Sequence, residues 1–416
     1  MKIILILLFI SNFINSQFAN GQIIFKPIGC SASGTTTVHI PSLSHLDNRY
    51  MLLKINWATI EPSPGVFDFS NLILQINIVN SYNKKYAIAV IAGGTGTPLW
   101  LKNILGAPTM PYVFQSNNLE LPLWWDATVQ LRMEILANAL GAQFASDASL
   151  ALIYVPQMTA NGIEGHLNGI NMTTFYSYGF TQSNWINAAK ETAKNFAEAF
   201  PNKAIAFEVH EVDETHTIPA TIINDLFNDS SLCQRVGAGI WWLSGKTTYQ
   251  TNLLSVLQNF QGDKYAQTIG RSDQLERFQD NTIATAFSQA QTLGIRYIEP
   301  WIFEYQNNTI NNLLQDFNTW ADLNFTLNSI CTLGINQNNF STFKIYPNPT
   351  KNEIFISSAR EIKSISISNL LGQIVINKNI KSQSTAINVQ NLAKGMYIIS
   401  VVSDNNKIEN HKFIKE

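Results

Sequence analysis

Charge is scarce in this chain. Only 13% of its 416 residues are Asp, Glu, Lys or Arg, and the formal net charge is −2. A nucleic-acid surface needs a basic footprint to neutralise phosphates, and none is provided here. Cysteine is rarer still: Cys30, Cys233 and Cys331 are three in number and far apart. An odd, dispersed set cannot form a disulfide framework, and no CxxC or Cys/His cluster suggests zinc. One disulfide is compatible with an oxidising compartment, with the pairing left open. Long apolar runs are absent too. The longest, Ile3 to Ile10, falls well short of the roughly 20 residues that span a bilayer.

What is present suits neutral, hydroxyl-rich ligands. Aromatic residues make up 11% of the chain, and Asn, Gln, Ser and Thr supply much of the remaining polarity. Met1-Lys2 followed by the apolar run and a small-residue stretch to Gly21 reads as a secretion signal over residues 1–22. Residues 23–325 alternate apolar strand-like runs with helical patterns. Residues 326–342 are rich in Asn, Ser and Thr, as expected of a linker. From residue 343 to 416 the period falls to about two, as in Ile365 and Ile367 between serines, and turn signals stand at Pro347-Asn348-Pro349, Gly372 and Gly395. That pattern predicts a small all-β sandwich.

The segments IYPNPTKNEIFI, SNLLGQIV and NLAKGMYIISVVSDNNKIENHKFIK resemble, in order, the type A C-terminal sorting domain of the type IX secretion system. That family occurs in Bacteroidetes. The resemblance implies Sec export, then recognition of residues 343–416 by an outer-membrane translocon. The protein would be released or attached at the cell surface.

In the central region, strands are expected at Tyr50–Trp57, Tyr86–Ala92, Leu150–Pro156, Lys203–Val209, Val236–Leu243, Tyr265–Ile269 and Ile295–Ile302, with a first one near Ile24–Ser31. Helices are expected at Ala127–Ala145, Trp185–Ala199 and Thr282–Leu293. Continuously apolar strands imply burial on both faces and therefore a parallel sheet. Eight of them with interposed helices predict an α/β fold, a (β/α)8 TIM barrel. A doubly wound sheet is the alternative, but no Gly-rich phosphate loop follows the first strand. The stretches KINWATIEPSPGVFDFSNL, AVIAGGTGTPLWL and LPLWWDATVQLRMEILANALGAQFASDASLALIYVPQMTANGIEGHL resemble clan A glycoside hydrolases, in particular the family 42 β-galactosidases. The resemblance weakens after about residue 200, and such barrels host many chemistries.

Glycoside hydrolysis needs two carboxyls across the scissile bond, and barrel sites lie at the C-terminal ends of strands. Three candidates follow. Glu164, after the fourth strand between glycines, matches the acid/base position of the family, although the family's Asn-Glu pair on the strand itself is missing. Glu299 lies inside the last apolar strand, where an ionisable group is costly unless paired or functional. Glu208 ends the fifth strand within an acidic, histidine-containing run to His216; metal binding is conceivable there, but no recognised ligand spacing occurs. Glu304 is a weaker candidate, and Glu61 is expected to anchor the turn after the second strand.

The seventh strand offers Gln267 and Asp273 but no glutamate, where clan A enzymes carry the nucleophile. Either the strand count is off by one and Glu299 is the nucleophile, or the barrel departs from the clan, or it only binds. Trp100, Trp241 and Trp301, with His166 and His210, are the expected substrate-binding residues. No cofactor and no metal is expected. The two readings are a secreted glycoside hydrolase of an extracellular poly- or oligosaccharide and a non-catalytic carbohydrate-binding barrel.

Overall fold

The computed structural model describes residues 22–34, 37–331, 343–369, 373–403 and 408–416. The expected secretion signal lies outside them except for its last residue, as does the greater part of the expected linker. The chain forms two compact units, residues 1–333 and 334–416.

In the first unit eight parallel strands close into a barrel: β1 (Gly29–Ala32), β2 (Tyr50–Asn56), β3 (Lys85–Ile91), β4 (Leu150–Tyr154), β5 (Ala204–Glu208), β6 (Val236–Leu243), β7 (Lys264–Thr268) and β8 (Tyr297–Glu299). Each strand pairs with its neighbours in sequence, and β8 returns to β1. Burial on both faces explains the continuous apolar runs. Side chains alternate across each strand. Leu53, Ile55, Ile88, Val90, Ile205 and Phe207 pack outward, in the same core as the inner faces of helices such as Ala127–Phe144 and Gln182–Ala199. Tyr50, Leu52, Ala87, Ala89, Tyr154, Ala206, Trp241, Tyr265 and Tyr297 fill the interior. The barrel is therefore a packed core and not a pore. Asp126 caps the first of those helices by accepting from the Thr128 and Val129 amides, in line with its place before the helical pattern.

Two features depart from expectation. Residues 326–331 do not begin a linker: Asn328–Cys331 is a strand antiparallel to Gln22–Phe25, and Cys331 is joined to Cys233 by a disulfide. Phe25, bridged to Lys203 just ahead of β5, packs against the interior cluster at the barrel's N-terminal end. Thr109–Phe114 and Asn117–Pro122 form a β-hairpin after β3. Its two turn residues, Gln115 and Ser116, have positive φ without being glycine, so the usual hairpin signal is missing.

The second unit is all-β among its described residues. Its five strands, Phe343–Tyr346, Glu353–Ser368, Ile374–Asn388, Gly395–Ser403 and Ile408–Lys415, form one antiparallel sheet. The register of Glu353–Ser368 shifts between Ser357 and Ile362. Ile354, Ile356, Ile365, Ile367, Ile399, Val401 and Phe413 form its core.

Candidate active site

The C-terminal ends of the strands bring Lys54 (β2), Glu208 (β5), Trp241 (β6), Gln267 (β7) and Glu299 (β8) into the barrel mouth. The loop after β4 supplies Glu164 and His166. That loop is fixed by its backbone. Gly162 sits at φ +84°, and a Cβ there would meet the Ala92 carbonyl at 2.3 Å, so only glycine fits. Its own carbonyl accepts from the amides of Ala92 and Gln157. Asn161 then orients Glu164: its Oδ1 accepts from the Ile163 and Glu164 amides, and its Nδ2 donates to Glu164 Oε1 at 2.7 Å.

Glu208 is fully occupied. Its Oε1 accepts from the Trp241 amide at 3.0 Å; its Oε2 accepts from the Gly165 amide at 2.6 Å and lies 3.0 Å from His210 Nδ1. Its backbone carbonyl accepts from Gln157 Nε2. Glu208 thus ties the loop carrying Glu164 to β5 and β6. Burial pushes Glu208 well above the ordinary carboxylate range and His210 down to about 4. Oε2 and Nδ1 thus share a buried hydrogen bond. His166 meets His210 edge-on at 5.4 Å and is also pushed down to about 4, first by burial and then by His210. Both imidazoles are neutral at neutral pH.

Glu164 is only partly buried. Burial raises its pKa, the nearby Glu208 adds to the rise, and His210, Asn161 and Lys54 oppose it. Glu299 is 0% exposed. Burial pushes it up to about 8, opposed by Tyr297, Lys54 and Tyr154. The two tyrosine hydroxyls are close enough to act on it, yet neither Glu299 oxygen has a hydrogen-bond partner of good geometry. Lys54 lies between the two acids electrostatically: burial lowers its pKa, and Glu299 and then Glu164 oppose that. Its ammonium stands 5.8 Å from the Trp241 ring centroid.

The strand count is therefore right, and β7 carries Gln267, in register with Glu299 on β8. Gln267 Oε1 accepts from Ser33, while Asp273 pairs with Arg271 outside the barrel. Glu304 is structural, since its oxygens accept from the Ser272 amide and the Thr309 hydroxyl. Glu61 anchors the turn after β2: it accepts from Trp57 Nε1 and the Gly65 amide and pairs with Arg132.

The aromatic candidates divide. Trp241 lies in the mouth. Trp301 follows β8, its Nε1 donating to the Thr268 carbonyl. Trp100 is not a ligand surface: it is buried against Trp57, with Arg132 over its ring and its Nε1 donating to the Glu61 carbonyl. An aromatic row runs instead through Phe114, His166, His210, Trp242 and Tyr249, with successive ring contacts of 5.7, 5.4, 6.0 and 5.8 Å. The acidic run after β5 disperses, and Asp213 accepts from Tyr176. Among the described residues no group of three His, Cys, Asp or Glu side chains converges for a metal.

Residues 344–416 match the secretion system C-terminal sorting domain family. That match indicates export to the cell surface or the extracellular space. No helix among the described residues is long and apolar enough to cross a membrane. A curated relative, ulvan lyase NLR42 of Nonlabens ulvanivorans, is 30% identical over 139 residues, which is 32% of this chain and 24% of that protein. This chain thus spans about a quarter of that relative. Among solved structures, the catalytic domain of the Paenibacillus polymyxa β-amylase is 12% identical, with a TM-score of 0.49 over 73% of this chain and 100% of its own. Xylanase 10B of Thermotoga maritima is 11% identical, with a TM-score of 0.41 over 66% of this chain and 82% of its own. Endo-glycoceramidase II of Rhodococcus sp. is 10% identical, with a TM-score of 0.42 over 87% and 98%. The fold is established by the closed barrel itself.

Proposed function

We propose that this protein is an extracellular glycoside hydrolase in which Glu164 is the proton donor and Glu299 the second carboxyl, delivered by type IX secretion through residues 343–416. The observation that carries the reading is the placement of Glu164. It is a carboxyl on a rigid loop at the C-terminal end of β4, oriented by Asn161 and kept protonatable by burial and by Glu208. A general acid needs that environment. Glu208, one of the three candidate carboxyls of the sequence, becomes a positioning residue, because its oxygens already hold the Gly165 and Trp241 amides and His210. Of the row from Phe114 to Tyr249, the two end rings, Phe114 and Tyr249, are accessible to sugar rings, and the three between them are buried.

The burial of Glu299 favours a second reading, a glycan-binding barrel without turnover. Reducing-end release from a panel of extracellular polysaccharides separates the two. Hydrolysis requires release by the wild-type protein, without the unsaturated ends that elimination would leave. It also requires loss of release in Glu164→Gln with an unchanged unfolding transition. Binding without release sinks the hydrolase.

A further inference from the structure

From Gly165 to Ala189 the chain carries no Asp, Glu, Lys or Arg, yet it exposes aromatic rings. This stretch follows β4 and contains the short helix Met172–Ser177. Tyr176 is 50% exposed and Tyr178 39%. Trp125, half-buried, reaches the same place from the loop after β3, packing on Phe175 and Phe180 at 5.4 and 6.1 Å. The space beside Gly179 is open, since a Cβ there would meet only Trp125 Nε1, at 3.6 Å. Tyr176 is held rigidly. Its ring lies edge-on to Phe180 at 5.7 Å, and its hydroxyl donates to Asp213, which also accepts from Gln182 Nε2 at 3.3 Å. Asp213 belongs to the turn after β5, which is closed by paired backbone hydrogen bonds between Val212 and Thr215. Loops after β3, β4 and β5 therefore converge on one aromatic surface, at the same end of the barrel as Glu164. It overlies Phe175, Phe180 and Trp185 of the outer core and not the interior cluster, so it stands apart from the mouth.

Tyr and Trp offer a flat apolar face with a polar edge, and a ring already fixed in place loses little freedom when a ligand settles on it. Ser177, Gln182, Ser183 and Asn184 are exposed around these rings, adding hydroxyl and amide groups. The charges that bear on Tyr176 are Asp213 and Glu214; both are acidic, which disfavours an anionic ligand. A pyranose, with an apolar C–H face and a rim of neutral hydroxyls, has the matching chemistry. We infer that Trp125, Tyr176 and Tyr178 form an accessory binding site for a neutral pyranose glycan, on the barrel rim and separate from the mouth. The site does not depend on the chemistry proposed for Glu164.

The test runs the full chain on native gels containing soluble xylan, mannan, galactan or mixed-linkage β-glucan. At least one of them should retard the wild-type protein. The double variant Tyr176→Ala/Tyr178→Ala should bind that glycan about tenfold more weakly, a difference of about 1.4 kcal/mol. Tyr178→Phe, which keeps the ring, should stay within about twofold of the wild type. Nitration of the wild type by tetranitromethane, mapped by mass spectrometry, needs no variant: the retarding glycan should slow modification of Tyr176 and Tyr178. Protection of Tyr249 without Tyr176 or Tyr178 puts the glycan in the mouth alone and overturns the site. Absence of retardation by every one of these glycans overturns it as well, and so does undiminished affinity in the folded double variant. Retardation that needs the two tyrosines but comes without reducing-end release leaves this site standing and removes the hydrolase. Release with undiminished affinity in the double variant does the reverse.

Discussion

Replacing Glu299 by glutamine should change how the stability of the barrel responds to pH. The carboxyl is 0% exposed, and its pKa rises from the ordinary 4.5 to about 8. Between those values the folded protein keeps a proton that the unfolded chain has released, so stability falls as pH rises through this window. The loss is complete only above pH 8. At about 1.4 kcal/mol per unit, the total is about 5 kcal/mol. Between pH 6 and pH 9 the same linkage gives about 3 kcal/mol. All nine tryptophans lie between Trp57 and Trp320, so urea unfolding followed by tryptophan fluorescence reports the barrel without the sorting domain. Titrating groups that do not interact with Glu299 cancel when the variant is compared with the wild type. Glu299→Gln should therefore gain about 3 kcal/mol relative to the wild type on moving from pH 6 to pH 9. A difference constant to within about 0.5 kcal/mol would show that Glu299 titrates normally, and the description of the mouth as a desolvated site would fail.

Three further outcomes follow from named contacts. Glu208→Ala leaves the Gly165 and Trp241 amides and His210 without their acceptor; it should cost about 2–5 kcal/mol in urea unfolding and reduce turnover by releasing the Glu164 loop. Glu61→Ala breaks the buried pair with Arg132 and should cost about 3–5 kcal/mol. Its surviving folded fraction should keep its glycan affinity, because Glu61 braces the turn after β2 and not the mouth. Cys233→Ser opens a covalent link between residues 98 apart and should cost about 2–4 kcal/mol; reductant should lower wild-type stability by a similar amount and leave the variant unchanged.

Much of the barrel was legible because buried parallel strands carry apolar residues on both faces. Val236–Leu243 stands where its sequence run predicts, and the other strands shift by only a few residues. Alternation in YMLLKIN already places Lys54 on one face with Tyr50 and Leu52. Its importance was missed because one lysine in an apolar strand attracts less attention than clustered carboxyls. Which acids are free could not be read at all. Glu208 and Glu164 look equivalent in sequence, and they differ only because the amides of Gly165 and Trp241, from distant segments, converge on Glu208. Trp100 was misjudged for the same reason, since its partners Trp57 and Arg132 are brought to it by the fold. The strand Asn328–Cys331 was hidden in a polar stretch because its pairing partner lies some 300 residues away, at Gln22–Phe25.

The central claim, that Glu164 donates the proton to the leaving group, is tested most directly by Glu164→Gln on two substrates of one sugar. One is a cleaved oligosaccharide; the other is the corresponding aryl glycoside, whose good leaving group needs no protonation. The account predicts a loss of about 10²–10⁴-fold in kcat/KM on the oligosaccharide and a far smaller loss on the aryl glycoside. Equal losses on both substrates, or wild-type turnover of the oligosaccharide, would contradict it.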